Sequence, residues 1–181
     1  MARVFDRPFV LLLSTCLILC VAASVLVLTI HPYYASFPPP IVVGPDDLMR
    51  MKAFGTCVAA PASALRWGAD GDTAKDICCH NQWRAEYSGY WAERSAFVAD
   101  VARGMRFLDS TTRSELFLLR RTREAFLADS RAHGWPAFVA DEVNWDNVRV
   151  LHSGEVVSLN GTHLGDLIGT RFCINLVCIA G

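Results

Sequence analysis

The sequence predicts a mainly β domain with a few peripheral helices, carried behind a single N-terminal transmembrane helix. Three observations predict it. Residues 8–30 form a run of 23 residues without a charged side chain. Residues 105–109 and 115–119 read as two strands around Ser110-Thr111-Thr112-Arg113, a hairpin by its turn chemistry and apolar flanks. Beyond Gly134 the chain turns into short strand-like stretches punctuated by Gly154, Gly161, Gly165 and Gly169.

The apolar run is long enough to cross a hydrocarbon layer as a helix and exceeds the usual core of a cleavable signal. Arg3 and Arg7 precede it, and Asp46 and Asp47 are the first charges after it. The positive-inside rule therefore leaves residues 1–7 in the cytosol and puts the domain on the lumenal or extracellular side of the membrane, held by a signal anchor. The small residues Val21-Ala22-Ala23 support a competing reading, a cleaved signal and a secreted or organellar protein. Residues 31–45 carry Pro32, Pro38-Pro39-Pro40 and Pro45, which favour an extended spacer. The globular domain is then 46–181.

With 181 residues there is room for one modest domain. A net charge of −1 offers no field to attract a phosphate backbone, which excludes nucleic acid as a partner. Of seven cysteines, Cys16 and Cys20 lie in the apolar run, so Cys57, Cys78, Cys79, Cys173 and Cys178 belong to the domain. Five is odd. In an oxidising compartment two disulfides can form and one thiol is left over, which suits a reactive cysteine.

Taken in order, Asp46 or Asp47 can cap a short helix over 46–54, and 57–91 is irregular around Pro61, Gly68, Gly71 and Gly89. A helix is predicted over 95–105, ended by Gly104, and another over 122–132 with Phe126 and Leu127 on its apolar face. Strands follow at 143–150, 155–159 and 171–179. Cys57 and Cys78-Cys79-His80 contain no CxxC pair, so no metal site is expected there.

Gly134-Trp135-Pro136-Ala137-Phe138, Thr162-His163-Leu164-Gly165 and Arg171-Phe172-Cys173-Ile174-Asn175 follow one another in this order. Together they resemble the signature of the peptide-methionine (R)-sulfoxide reductases, the B-type methionine sulfoxide reductases. Glu86-Tyr87-Ser88-Gly89-Tyr90-Trp91 is similar to the segment that opens that family's domain, so the resemblance runs from about residue 86 to 181. It implies two antiparallel sheets in a reductase-like β-sandwich. It also implies an oxidoreductase that reduces methionine (R)-sulfoxide in oxidised peptides or proteins.

The residue types suit that chemistry. A cysteine sulfur attacks the sulfoxide, methionine leaves, and the sulfenic acid that remains is cleared by a second thiol. Cys173 is the expected nucleophile. Period-2 spacing puts Arg171 and Asn175 on its face of a strand, where Arg171 would favour the thiolate. The resemblance makes His163 the acid or hydrogen-bonding partner of the sulfoxide oxygen, and Trp135 an apolar wall for the substrate methyl, with Phe138 and Asp166 also on the substrate side. Where the family carries a second histidine, this chain has Asp166, and only 167–170 separate that residue from Arg171. The family's zinc positions fall on Phe107, Ser110, Val157 and Asn160, which supply no thiolate, so no zinc and no other cofactor is expected beyond a thiol reductant such as thioredoxin.

Cys178 lies an odd step of five residues, roughly 16 Å, along a strand from Cys173, out of disulfide reach. Where many members keep a resolving cysteine the chain has His133. Cys57, Cys78 and Cys79 are left as resolving thiols. Asn160-Gly161-Thr162 is an N-glycosylation sequon next to His163. The alternative to an enzyme is a catalytically impaired, membrane-tethered domain of the same kind that serves as a binding or structural module, a reading favoured by Asp166 and the short loop.

Overall fold

Antiparallel pairing organises every strand described in this computed structural model, which covers residues 19–21, 37–80 and 83–181. Strands β1 (Arg106–Leu108) and β2 (Glu115–Leu118) form a two-stranded sheet. Strands β3 (Ala137–Phe138), β4 (Val148–Val150), β5 (Glu155–Ser158), β6 (His163–Ile168) and β7 (Arg171–Ile174) form a five-stranded sheet in the order β3-β7-β6-β5-β4. The mainly β expectation and the hairpin hold. The expected transmembrane helix falls almost entirely outside the described residues, and among those described no helix is long and apolar enough to cross a membrane.

Residues from both sheets meet in an aromatic core. Phe117 from β2 stacks on Phe138 from β3 with ring centroids 4.3 Å apart, and Phe107 from β1 meets the edge of the same ring at 4.9 Å. Phe126 closes the cluster from the helix Arg123–His133, 5.1 Å from Phe138. That helix begins where Thr122 accepts the Ala125 N–H at 3.3 Å and ends at Gly134, whose φ of 90° is the left-handed conformation that glycine tolerates best. Phe138 has no exposed surface, so it is a core residue and not a wall for substrate.

Several expected boundaries move, each for a local reason. The predicted strand 171–179 ends at Ile174 and continues as a 3-10 turn, Leu176–Ile179. The buried Glu86 carboxylate accepts the N–H groups of Leu176 and Val177 at 2.8 and 2.7 Å, so these donors are satisfied without a neighbouring strand. The strand expected over 143–150 starts only at Val148, because Asn144 takes the Asp146, Asn147 and Val148 N–H groups into a turn. The helix expected over 46–54 is the short 3-10 turn Asp46–Met49, and the one over 95–105 is Ser95–Asp100. The segment expected to be irregular contains Gly71–Lys75, capped by Asp70, and the π-turn Asp76–His80. Phe37 and Ile41 pack on the core and Val43 bridges Val150, so the chain joins the compact unit at Phe37.

Two disulfides, Cys57–Cys79 and Cys78–Cys178, tie the π-turn to the segment after Gly55 and to the C-terminal 3-10 turn. A polar clamp joins the hairpin turn to the turn between β5 and β6. Asn160 Nδ2 donates to Thr112 Oγ1 at 2.9 Å and to Asp109 Oδ2 at 3.3 Å, and the buried Thr162 hydroxyl donates to Asp109 at 3.0 Å. The sequon side chains are thus used inside the fold.

Candidate active site

The site rests on an irregularity in β6 that the sequence does not announce. Along this strand Asp166 pairs with Glu155, Gly165 with Val156, and His163 with Val157. Two residues on β6 therefore answer one on β5, a β-bulge that resets the alternation of faces. His163 and Asp166 are three residues apart and would point to opposite faces of a regular strand, yet both lie opposite residues of one β5 face. On the other side Asp166 pairs with Cys173 and Gly165 with Ile174. A side chain at Gly165 would meet the Cys173 carbonyl oxygen at 2.1 Å, so only glycine lets the two strands approach here.

Cys173 is 5 % exposed and is the cysteine of residues 37–181 left unbonded. Burial, with a further push from Asp166, raises its thiol to about 11, against the pull of Arg171. The expectation that Arg171 would hold a thiolate is corrected: Arg171 Nε donates to Asp129 Oδ2 at 2.8 Å, and Arg121 shares the same carboxylate. Its charge is spent on the Arg123–His133 helix, and the resting sulfur is a neutral thiol.

His163 is buried, and burial lowers its pKa against the attraction of Asp166 and Glu155, so the ring is neutral at pH 7. Neither ring nitrogen has a hydrogen-bond partner among the described residues. Nε2 stands 3.9 Å from Glu155 Oε1, which Ser153 orients by donating to the other carboxylate oxygen at 2.8 Å. Asp166 still faces water, but the protein packed around it and the neighbouring Glu155 raise its pKa, while His163 opposes them. A carboxylate can serve as an acid only if raised in this way, and the structure supplies the direction. Glu155 was not expected at the site; it becomes visible only through the bulged register.

Asn175, expected beside the sulfur, is buried and engaged elsewhere. Its Oδ1 accepts the Glu86 N–H at 3.0 Å and its Nδ2 donates to the Leu164 carbonyl at 3.2 Å. Trp135 Nε1 donates to the Glu86 carbonyl at 3.0 Å, which fixes the indole edge-on to the same residue. The Gly89 N–H donates to the Gly134 carbonyl at 2.8 Å, and a side chain at Gly134 would strike Ser88 Oγ at 2.3 Å. Glu86 is therefore the junction of Trp135, Asn175 and the turn after Cys173, and sequence reasoning gave it no role. Burial raises its carboxyl to about 7, against the two backbone N–H groups it accepts. In an unfolded chain the same carboxyl ionises lower, so its contribution to stability is complete in acid and lost as pH rises through about 7. Glu86→Gln should flatten that slope in urea unfolding measured between pH 5 and 8.

Cys57, Cys78 and Cys79, expected as resolving thiols, are all oxidised already, and Cys178 is bonded to Cys78. The strand argument that removed Cys178 is also superseded, because the chain leaves the strand at Asn175. Together these features define a buried thiol on β7 opposite Asp166, with the neutral His163 imidazole and Glu155 further along the same face of the sheet. Comparison of the chain with protein-family models, curated proteins and solved structures found no match.

Proposed function

We propose that the chain reduces methionine (R)-sulfoxide in oxidised peptides or proteins, with Cys173 as nucleophile, as a peptide-methionine (R)-sulfoxide reductase-like oxidoreductase. The observation that carries the reading is the register that sets Cys173 against Asp166, with the unpartnered His163 on the same side. A buried imidazole with both nitrogens unused is costly unless a bound group completes it, and a sulfoxide oxygen is a strong acceptor for its N–H. The convergence of the resembling segments supports the same reading: β7 pairs with β3 and β6, and 86–91 packs on Gly134 and Asn175.

Each turnover leaves a sulfenic acid on Cys173. A disulfide cannot reduce it, and the other four cysteines of 37–181 are in disulfides. Regeneration thus needs two thiol equivalents from outside this unit, such as a thioredoxin-like protein or a small thiol. Anchoring by residues 8–30 on the lumenal or extracellular side belongs to the same proposal and suits a domain with two disulfides.

One observation favours the second reading, a binding module without turnover: a thiol raised to about 11 is a poor nucleophile at neutral pH unless a base removes its proton during attack. The two readings separate in one assay. The full chain, given the individual R and S epimers of a methionine sulfoxide peptide and a thiol reductant, should consume the R epimer alone; consumption of neither epimer selects the binding module. His163→Ala should lower kcat/KM for the R epimer by about a hundredfold, the usual contribution of a positioned hydrogen-bond donor to the reacting oxygen, and an unchanged rate would remove His163 from the mechanism.

A further inference from the structure

Away from Cys173, arginines from four separate stretches of chain line one groove of about 720 Å³. Arg66 comes from the 3-10 turn Arg66–Gly68, Arg103 from the turn after Ser95–Asp100, Arg106 from β1 and Arg113 from the turn between β1 and β2. Against these four guanidinium groups the groove sets two carboxylates, Asp100 and Glu115, a local positive excess in a chain whose net charge is −1. Asp100 stands 3.6 Å from Arg66 and Glu115 stands 3.2 Å from Arg106. The Arg103 guanidinium has no hydrogen bond or ion pair among the described residues, and that of Arg113 donates one long bond, to the Ala64 carbonyl at 3.4 Å.

The backbone is bent where it holds these arginines. Trp67 and Arg113, with φ of 58° and 61°, are the non-glycine residues found in the left-handed region among those described, and both belong to the walls of this groove or support them. That conformation is costly for a residue with a Cβ and persists where its surroundings fix it. The Trp67 ring carries the Arg66 guanidinium 4.1 Å from its centroid, and Trp67 Nε1 donates to Asp100 Oδ2 at 2.9 Å. The Arg113 N–H donates to the Asp109 carbonyl at 2.8 Å.

We propose that this groove binds a short acidic peptide segment of a partner protein, whose carboxylates pair first with Arg103 and Arg113. A guanidinium presents a planar fork that meets a carboxylate through two parallel hydrogen bonds. Arg66–Asp100 and Arg106–Glu115 already show that pairing chemistry inside the groove. Guanidinium groups from four segments, spread over a groove of this volume, fit a chain with several carboxylates better than one compact anion. A nucleic-acid backbone, with its continuous line of phosphates, would be repelled by Asp100 and Glu115. No residue of the groove belongs to the Cys173 site, so this binding stands apart from the sulfoxide chemistry.

Fluorescence anisotropy of a fluorescein-labelled oligoglutamate peptide, titrated with the full chain beside an oligoglutamine peptide of equal length, tests the groove. Oligoglutamate should bind one to one and more weakly as chloride is raised, since exposed pairs are screened, and oligoglutamine should not bind. Arg103→Ala removes a side chain without internal partners, and Arg113→Gly preserves the left-handed turn, so both variants keep the fold. Together they should weaken oligoglutamate binding about tenfold, as two partly exposed ion pairs would, with Arg103→Ala alone giving part of that loss. Arg131→Ala, the same charge change at an exposed position of the helix Arg123–His133, should leave binding unchanged. Equal affinity for the two peptides, native affinity in the double variant, or an equal loss in Arg131→Ala overturns the proposal. Displacement of the peptide by inorganic phosphate beyond that caused by chloride at equal ionic strength would give the groove to a small anion, and overturns the peptide as its occupant.

Discussion

Cys173→Ser should reduce turnover of the R epimer to the uncatalysed background and leave the melting curve and both disulfides unchanged. The hydroxyl is a far weaker nucleophile than sulfur, and an oxygen in its place cannot take up the sulfoxide oxygen as a sulfenic acid. The substitution is small at a position that makes one long contact, Sγ to the Arg171 carbonyl at 4.0 Å, so little packing is lost. Measurable R-specific turnover in this variant would assign the chemistry to another residue. Cys178→Ser is no control for it, because Cys178 holds the C-terminal turn through Cys78.

Removal of that bond should produce the largest loss of stability among the cross-links. Cys78–Cys178 spans a sequence separation of 100, for which the chain-entropy cost in the unfolded state is about 4.7 kcal/mol. Cys57–Cys79 spans 22, for which the same relation gives about 3.4 kcal/mol. The paired serine variants, unfolded in urea without reductant, should differ in that order. The Cys78–Cys178 variant should also lose activity, since Leu176–Ile179 is held from one side by Glu86 and from the other by Cys78, directly after Asn175. A smaller loss for this bond than for Cys57–Cys79 would mean that the C-terminal turn is secured by packing alone.

What the sequence made legible was local. The β1–β2 hairpin, the helix opened by Thr122 and closed by Gly134, and strand β5 follow from turn chemistry, caps and alternation within a few residues. Cys173 and His163 were singled out through short motifs, and the odd cysteine count foresaw one free thiol beside two disulfides among the cysteines of 37–181. What stayed hidden depends on partners distant in sequence. Strand β6 does not alternate, because its bulge places Leu164 and Gly165 between two polar residues of one face. Glu155 joins the site only through that register, and Glu86 acquires its role from N–H groups about ninety residues away. Arg171 pointed to a thiolate until Asp129, on a helix, was found to hold it. Phe138 shares a motif with Trp135 but faces the aromatic core, a choice set by packing between the sheets.

The central claim is that Cys173 takes the oxygen from the sulfoxide and passes it to no other cysteine of the domain. A single turnover of the full chain without reductant measures this directly. One equivalent of methionine should be released per chain from the R epimer, with a sulfenic acid trapped at Cys173 and with Cys57–Cys79 and Cys78–Cys178 found intact by peptide mapping. No release of methionine, or trapping at any residue other than Cys173, would contradict it.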